Sequence, residues 1–227
     1  MRKRAGHNFT WGRITAAVLA LVCLLSLGLA GCASAVRSSS TSLSIDETGK
    51  IVEEIVEAQG SEKYSQEELT AFINAQLEQY NADKDEAAIS LDSCLIESGT
   101  VKIRMTYNSC ADYADFNQMV CFDGTLQEAE AAGYEIERTW LDPEGAIGDK
   151  EIIRERDAEW KIFIVSEAID VKVPDKILYA SENVKITGRL TATVQTVMNE
   201  AEEEASEQTE VHPLATVADR FAYIIYK

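Results

Sequence analysis

Residues 88–96, AISLDSCLI, and residues 101–108, VKIRMTYN, are two apolar stretches separated by a short polar connection. In the second, Val101, Ile103, Met105 and Tyr107 alternate with polar residues, the pattern of a half-buried strand. A connection this short allows only an antiparallel pair. With a three-residue loop, Glu97-Ser98-Gly99, the glycine supplies the left-handed position that such loops favour. Leu95 then faces Val101, Leu91 faces Met105 and Ile89 faces Tyr107, which makes one continuous apolar face. A two-residue loop would put Leu95 and Leu91 on the side of Lys102 and Arg104, so the three-residue loop is expected.

Upstream, Ser65 and Glu68 form a capping box that opens a helix. Leu69, Phe72, Ile73, Leu77 and Tyr80 fall on one face of it at helical spacing, so this amphipathic helix packs on another element. Ile51 to Val56 reads as a strand before it. Downstream, a short helical stretch surrounds Tyr113 and Phe116, and Asp123-Gly124 reads as a turn. Thr125 with Glu128 is a second capping box, whose helix should stop at Gly133. Residues 142–149, with Pro143, Gly145 and Gly148, form a loop. Ile162 to Val173 is β-rich, and its alternation changes phase near Ala168, which predicts a bulge or bend. Pro174-Asp175 is a turn; Ile177–Ala180, Val184–Ile186 and Phe221–Tyr226 are further strands. The sum is an α+β fold, a single compact domain over 45–227 with an antiparallel sheet and two or three helices.

The beginning of the chain has a different character. Arg2, Lys3, Arg4 and Arg13 precede a stretch, Ile14 to Val36, without any charged residue. A basic start followed by an apolar run is the pattern of an export signal. The positive end stays in the cytoplasm and the rest is delivered outside. The run closes with Leu29, Ala30, Gly31 and Cys32, which resemble the lipobox of bacterial lipoproteins. The resemblance implies cleavage before Cys32 after a diacylglyceryl group is attached to its sulfur. Two acyl chains are what stable anchoring requires, each buried methylene contributing roughly 0.8 kcal/mol. The alternative is an uncleaved span, since a run of this length can cross a hydrocarbon core of about 30 Å. Cys23, inside the run, lacks the motif. On this reading 1–31 is a signal peptide and 32–44, rich in Ser, is a tether.

Removing residues 1–31 takes away four of the 21 basic residues and no acidic ones, leaving 17 against 39 acidic and a formal charge of −22. Such a surface repels nucleic acid and anionic lipid and favours cations or cationic partners; the plainer reading is solubility in a crowded envelope. Three cysteines remain, Cys94, Cys110 and Cys121, an odd count for a disulfide framework. In the hairpin, Cys94 sits near the turn and Cys110 beyond the far end, roughly 25 Å away at strand rise. That is far past the ~7 Å limit for a bridge. Cys110 could meet Cys121 only if the chain doubles back, so reduced thiols are expected.

Four further stretches, YADFN at 113–117, CFDGTLQEAEAAGY at 121–134, ILYASENVKI at 177–186 and YIIYK at 223–227, together resemble small lipoproteins of Gram-positive anaerobes. The resemblance agrees with an envelope location and brings no activity and no catalytic residue.

The chemistry legible in the mature chain is sparse. His212 is its single histidine, and no Gly-x-Ser-x-Gly accompanies it. The cysteines lack CxxC spacing, HExxH is absent, and so are glycine-rich phosphate loops. Glu167 and Asp170 flank the bend near Ala168, where carboxylates for hydrolysis would be sought. Asn81, Asp83 and Asp85 follow the first ligand spacings of a calcium-binding loop, with Asp92 at the twelfth position. Glu86 stands where that loop requires glycine, and Asp92 belongs to a strand. A helix end running into a polar connection explains these residues without metal. The expectation is therefore a membrane-anchored extracytoplasmic lipoprotein without cofactor, a non-enzymatic binding or interaction module for an envelope ligand or protein. An envelope-polymer hydrolase using carboxylates, or a solute-capturing lipoprotein, is the alternative.

Overall fold

The structure, a computed structural model, describes residues 39–60, 63–195 and 220–227. Cys23, the Leu29–Cys32 motif, the acidic stretch 200–210 and His212 lie outside these residues. The described chain opens with β1 (Ser42–Ile45), β2 (Ile51–Ala58) and α1 (Gln66–Asn81), followed by β3 (Ile89–Glu97) and β4 (Thr100–Tyr107). Next come α2 (Cys110–Asn117), β5 (Cys121–Thr125), α3 (Leu126–Ala131) and α4 (Lys150–Glu155). The remainder is β6 (Lys161–Val165), β7 (Asp170–Lys172), β8 (Ile177–Ala180), β9 (Val184–Ile186), β10 (Thr191–Val194) and β11 (Ala222–Tyr226). The class is α+β.

The β3–β4 hairpin forms with one correction to its register. Ser98 and Gly99 both take positive φ, 51° and 78°, so the loop has two residues and not three. Such a turn matches the right-handed twist of the strands it joins. Near it Ile96 pairs with Val101, and Leu95 with Lys102; further along, Leu91 opposes Met105 and Ile89 opposes Tyr107, as expected. A bulge between Leu91 and Ser93 reconciles the two registers, with Asp92 as the extra residue. It turns the strand over, so that Ile89 and Leu91 on one side of it and Cys94 and Ile96 on the other all join the core. The inserted residue answers the objection to a two-residue loop for Leu91, which returns to the Met105 side, while Leu95 does lie opposite Lys102 and stays half-buried.

The strands divide between two sheets, where the sequence reading grouped them in one. A seven-stranded sheet runs β3-β4-β2-β1-β7-β10-β9, and a four-stranded sheet runs β5-β6-β11-β8. All neighbours are antiparallel except β1 and β7, which are parallel. The phase change near Ala168 is therefore not a bulge within one strand: β6 belongs to the small sheet and β7 to the large one. Likewise the chain passes from the small sheet to the large at Ser181-Glu182-Asn183, between β8 and β9. Ser181 Oγ accepts from the Tyr223 amide at 3.0 Å and Asn183 Nδ2 donates to the Phe221 carbonyl at 3.1 Å, which ties this corner to the start of β11.

Three further boundaries change. The tether expected to reach residue 44 ends sooner, because Ser42, Leu43 and Ser44 enter β1, with Leu43 fully buried at the junction of β2 and β7. Asp123-Gly124 is not a turn but part of β5. A Cβ at Gly124 would stand 2.8 Å from the Phe122 ring, so glycine fits there for lack of room. Helix α4 and strand β10 lack a strong signal, and α4 brings the described helices to four. Both capping boxes close as read, and Gly133, at φ 91°, ends the α3 region with the Tyr134 amide donating to the Ala129 carbonyl.

One core cluster joins the inner face of the large sheet, the Leu69, Ile73 and Leu77 stripe of α1, Tyr113 of α2, and Phe163, Val165, Ala222, Ile224 and Tyr226 of the small sheet. A second cluster lies on the small sheet's other face, where Ile162, Ile164, Tyr223 and Ile225 meet Leu126, Ala129, Trp140 and Ile153. Strands β6 and β11 are thus covered on both faces, which is why KIFIV and AYIIY are almost unbroken apolar runs.

Candidate functional site

Strand β2 carries two adjacent acids, and strand alternation sends them to opposite faces. Glu54 lies on the side of Arg104, with which it forms an ion pair; Arg104 also reaches Asp92 at 3.4 Å. Glu53, 8% exposed, points into the core between Ile51 and Ile55. There Tyr107 Oη donates to Glu53 Oε2 at 2.6 Å, and Asn117 Nδ2 donates to Tyr107 Oη at 3.2 Å. Beside them Tyr113 Oη donates to Glu167, and the Tyr107 and Tyr113 rings meet edge-on with centroids 5.0 Å apart.

Helix α2 supplies Tyr113 and Asn117 to this cluster. It starts where Ser109 Oγ accepts the Asp112 amide at 3.1 Å, and ends as Gln118 takes a left-handed φ of 55°. Burial pushes both phenols well above their ordinary range, and the neighbouring charge of Glu53 pushes the same way. They remain proton donors at any physiological pH. Glu167 is therefore engaged by Tyr113, and Asp170 accepts from Ser40 at 2.6 Å and from Thr193 at 2.6 Å. Both acids flanking the bend are thus engaged in hydrogen bonds that tie elements together.

A concave feature of the described surface lies at the end of the small sheet. A groove of about 390 Å³ is lined by the β1–β2 loop, by Asp123 in the middle of β5, by Lys161 at the start of β6, and by Asp175, Tyr226 and Lys227. Its loop is rigid for a local reason: Asp46 Oδ1 accepts the Thr48 amide at 2.8 Å, the Thr48 hydroxyl at 2.7 Å and the Lys50 amide at 3.1 Å. Slight burial raises the Asp46 carboxyl, but these bonds outweigh it and hold the group below the ordinary carboxylate range. Asp123 goes the other way: burial raises it, against the lowering effects of the Tyr226 hydroxyl that donates to it and of Lys161. Four carboxylates, of Asp46, Glu47, Asp123 and Asp175, face two lysines there. The size falls in the range of small-ligand sites, roughly 300–1,000 Å³.

The calcium candidates are not assembled into a site. Asn81 spends its amide on the backbone of the next strand, accepting from the Ala88 amide at 2.8 Å and donating to the Ile89 carbonyl at 2.9 Å. Asp92 accepts from Thr106 at 2.7 Å on the outer face of the hairpin, while Asp83 and Asp85 lie exposed in the connection. Among the described residues no group of three or more His, Cys, Asp or Glu could hold a metal ion.

Cys94, Cys110 and Cys121 are free thiols. Cys94 lies under α1, hydrogen-bonded to Thr70, and burial raises its thiol. Among the described residues no helix is long and apolar enough to cross a membrane. Compared with protein-family models, curated proteins and solved structures, the chain matches none.

Sequence reasoning missed Glu53, Tyr107 and the groove. A signal for Glu53 was present: two consecutive acids inside an apolar strand force one of them inward. The groove left none, because it is assembled from five separate segments.

Proposed function

We propose that the protein is a lipoprotein on the outer face of a bacterial membrane, anchored through Cys32, and that its folded part is a non-enzymatic binding module. The observation that carries the anchor is Leu29-Ala30-Gly31-Cys32 closing an uncharged apolar run behind Arg2, Lys3 and Arg4. A diacylated cysteine there needs only a short stretch before the first strand at Ser42, so the domain stands close to the lipid surface. The mature charge of −22 keeps it from lying down on anionic headgroups.

The groove is the binding element of this reading, and its excess of carboxylates suits a small ligand bearing a positive charge, such as an amine. The strongest candidate acids for catalysis are engaged by Tyr107, Tyr113 and Tyr226, which favours binding over hydrolysis. The test is expression of the full chain and of Cys32→Ser in a bacterial host fed a clickable palmitate analogue. Wild type should take up label and shorten by its signal peptide, and the variant should do neither. Equal membrane retention of both chains at full length, without label, would replace the lipid anchor with an uncleaved span.

A further inference from the structure

The chain does double back after α2, and this brings two of the three thiols together. Cys110 is the first residue of α2 and Cys121 the first residue of β5. Between them the left-handed Gln118 and the Met119 amide, which donates to the Ala114 carbonyl, reverse the path. Val120 then locks onto Ser166, its amide donating to Ser166 Oγ at 2.9 Å while its carbonyl accepts the Ser166 amide at 3.2 Å. Helix α2 packs against β5, and the two cysteines share one core cluster, with Cys110 near enough to raise the Cys121 thiol. Cys121 is 8% exposed, whereas Cys110 is half-buried, so a reagent arriving from solvent meets Cys110 first.

We propose that Cys110 and Cys121 are a redox pair that closes to a disulfide on exposure to an external disulfide, with Cys94 left as a thiol. The Cys110 thiolate attacks one sulfur of the incoming disulfide and expels one thiolate, leaving a mixed disulfide on Cys110. The Cys121 thiolate then attacks the Cys110 sulfur and expels the second. The protein loses two electrons and its two thiol protons, and the external disulfide becomes two thiols. Cys110, then burial, raise the Cys121 thiol; burial persists once Cys110 carries the mixed disulfide, so the second step is the slow one. Closure staples the start of α2 to β5, and α2 is the helix that presents Tyr113 and Asn117 to Glu167 and Tyr107. An extracytoplasmic address would place the pair where such oxidants occur, but the pairing does not depend on the address.

The test uses the full chain, purified reduced and then equilibrated with oxidised glutathione. Free thiols are blocked with a maleimide and tryptic peptides are weighed. Residues 105–138 form one tryptic peptide holding both Cys110 and Cys121, and residues 85–102 form another holding Cys94. The first should lose two hydrogens and carry no maleimide, while the second is fully blocked after unfolding. Closing a loop of about a dozen residues should also raise the thermal midpoint by roughly 5–10 °C. Cys121→Ser should keep glutathione on Cys110 and lose that rise. The inference is overturned if 105–138 of wild type retains two maleimides, holds glutathione at equilibrium, or is found cross-linked to 85–102.

Discussion

Replacing Tyr107 by Phe removes one oxygen from the interior and nothing else, because the ring keeps its place against Tyr113 and Phe116. Glu53, 8% exposed, then loses the donor that stood 2.6 Å from its Oε2, and Asn117 loses its acceptor at 3.2 Å. A hydrogen bond to a charged group contributes about 1.5–3 kcal/mol net, and no cavity is created. Tyr107→Phe should therefore destabilise the chain by roughly 2–3 kcal/mol. Urea unfolding followed by tryptophan fluorescence reads this directly, as a lower midpoint with an unchanged slope. A cycle with Glu53→Leu should return a coupling of about 1.5–3 kcal/mol, since both single changes break the same bond. A Tyr107→Phe chain within 0.5 kcal/mol of wild type, or a coupling near zero, would refute the idea that this buried pair holds β2, β4 and α2 together (both thresholds being about the scatter of additivity).

Tyr107 and Tyr113 stay protonated above the ordinary phenol range when folded, so the unfolded chain releases those protons first. Stability should then fall as pH climbs past about 10, by up to roughly 1.4 kcal/mol per unit for each tyrosine; the Tyr107→Phe/Tyr113→Phe chain should show a shallower alkaline slope, and an unchanged slope would count against it. Asp46 works at the opposite end: its lowered carboxyl adds stability above pH ~4, lost as pH falls through the folded value. Because Asp46 is exposed, Asp46→Asn should cost only about 0.5 kcal/mol at neutral pH, fading in acid melts. Deleting Asp92 should be tolerated at about 1–2 kcal/mol, the loss of its Thr106 bond and Arg104 pairing, since the ladder becomes regular on both sides of the bulge; deleting Cys94 also regularises the ladder but puts Ser93 in the core place opposite Ile103, and should cost more than deleting Asp92 in the same urea melt.

The hairpin shows what patterning conveys and what it withholds. Alternation in 101–107 and the capping boxes at Ser65 and Thr125 are local, and each element they imply is present. The Leu95–Val101 pairing fails because the pattern can count residues but cannot see that Asp92 stands outside the ladder, held by Thr106 and Arg104 from the neighbouring strand. The phase change near Ala168 was legible as an event; that it is a passage between sheets depends on β11, more than fifty residues later, pairing with β6. Hydrophobicity located KIFIV and AYIIY as core without saying that two clusters share them. Of the candidate site, Glu53 was legible in principle, while Asp123 was hidden inside an Asp-Gly pair that reads as a turn.

Mass spectrometry of the N-terminal peptide of the protein extracted from membranes tests the anchor most directly. The account predicts a chain that begins at Cys32, its sulfur bearing diacylglycerol. A chain that retains residues 1–31, or a Cys32 without lipid, would contradict it.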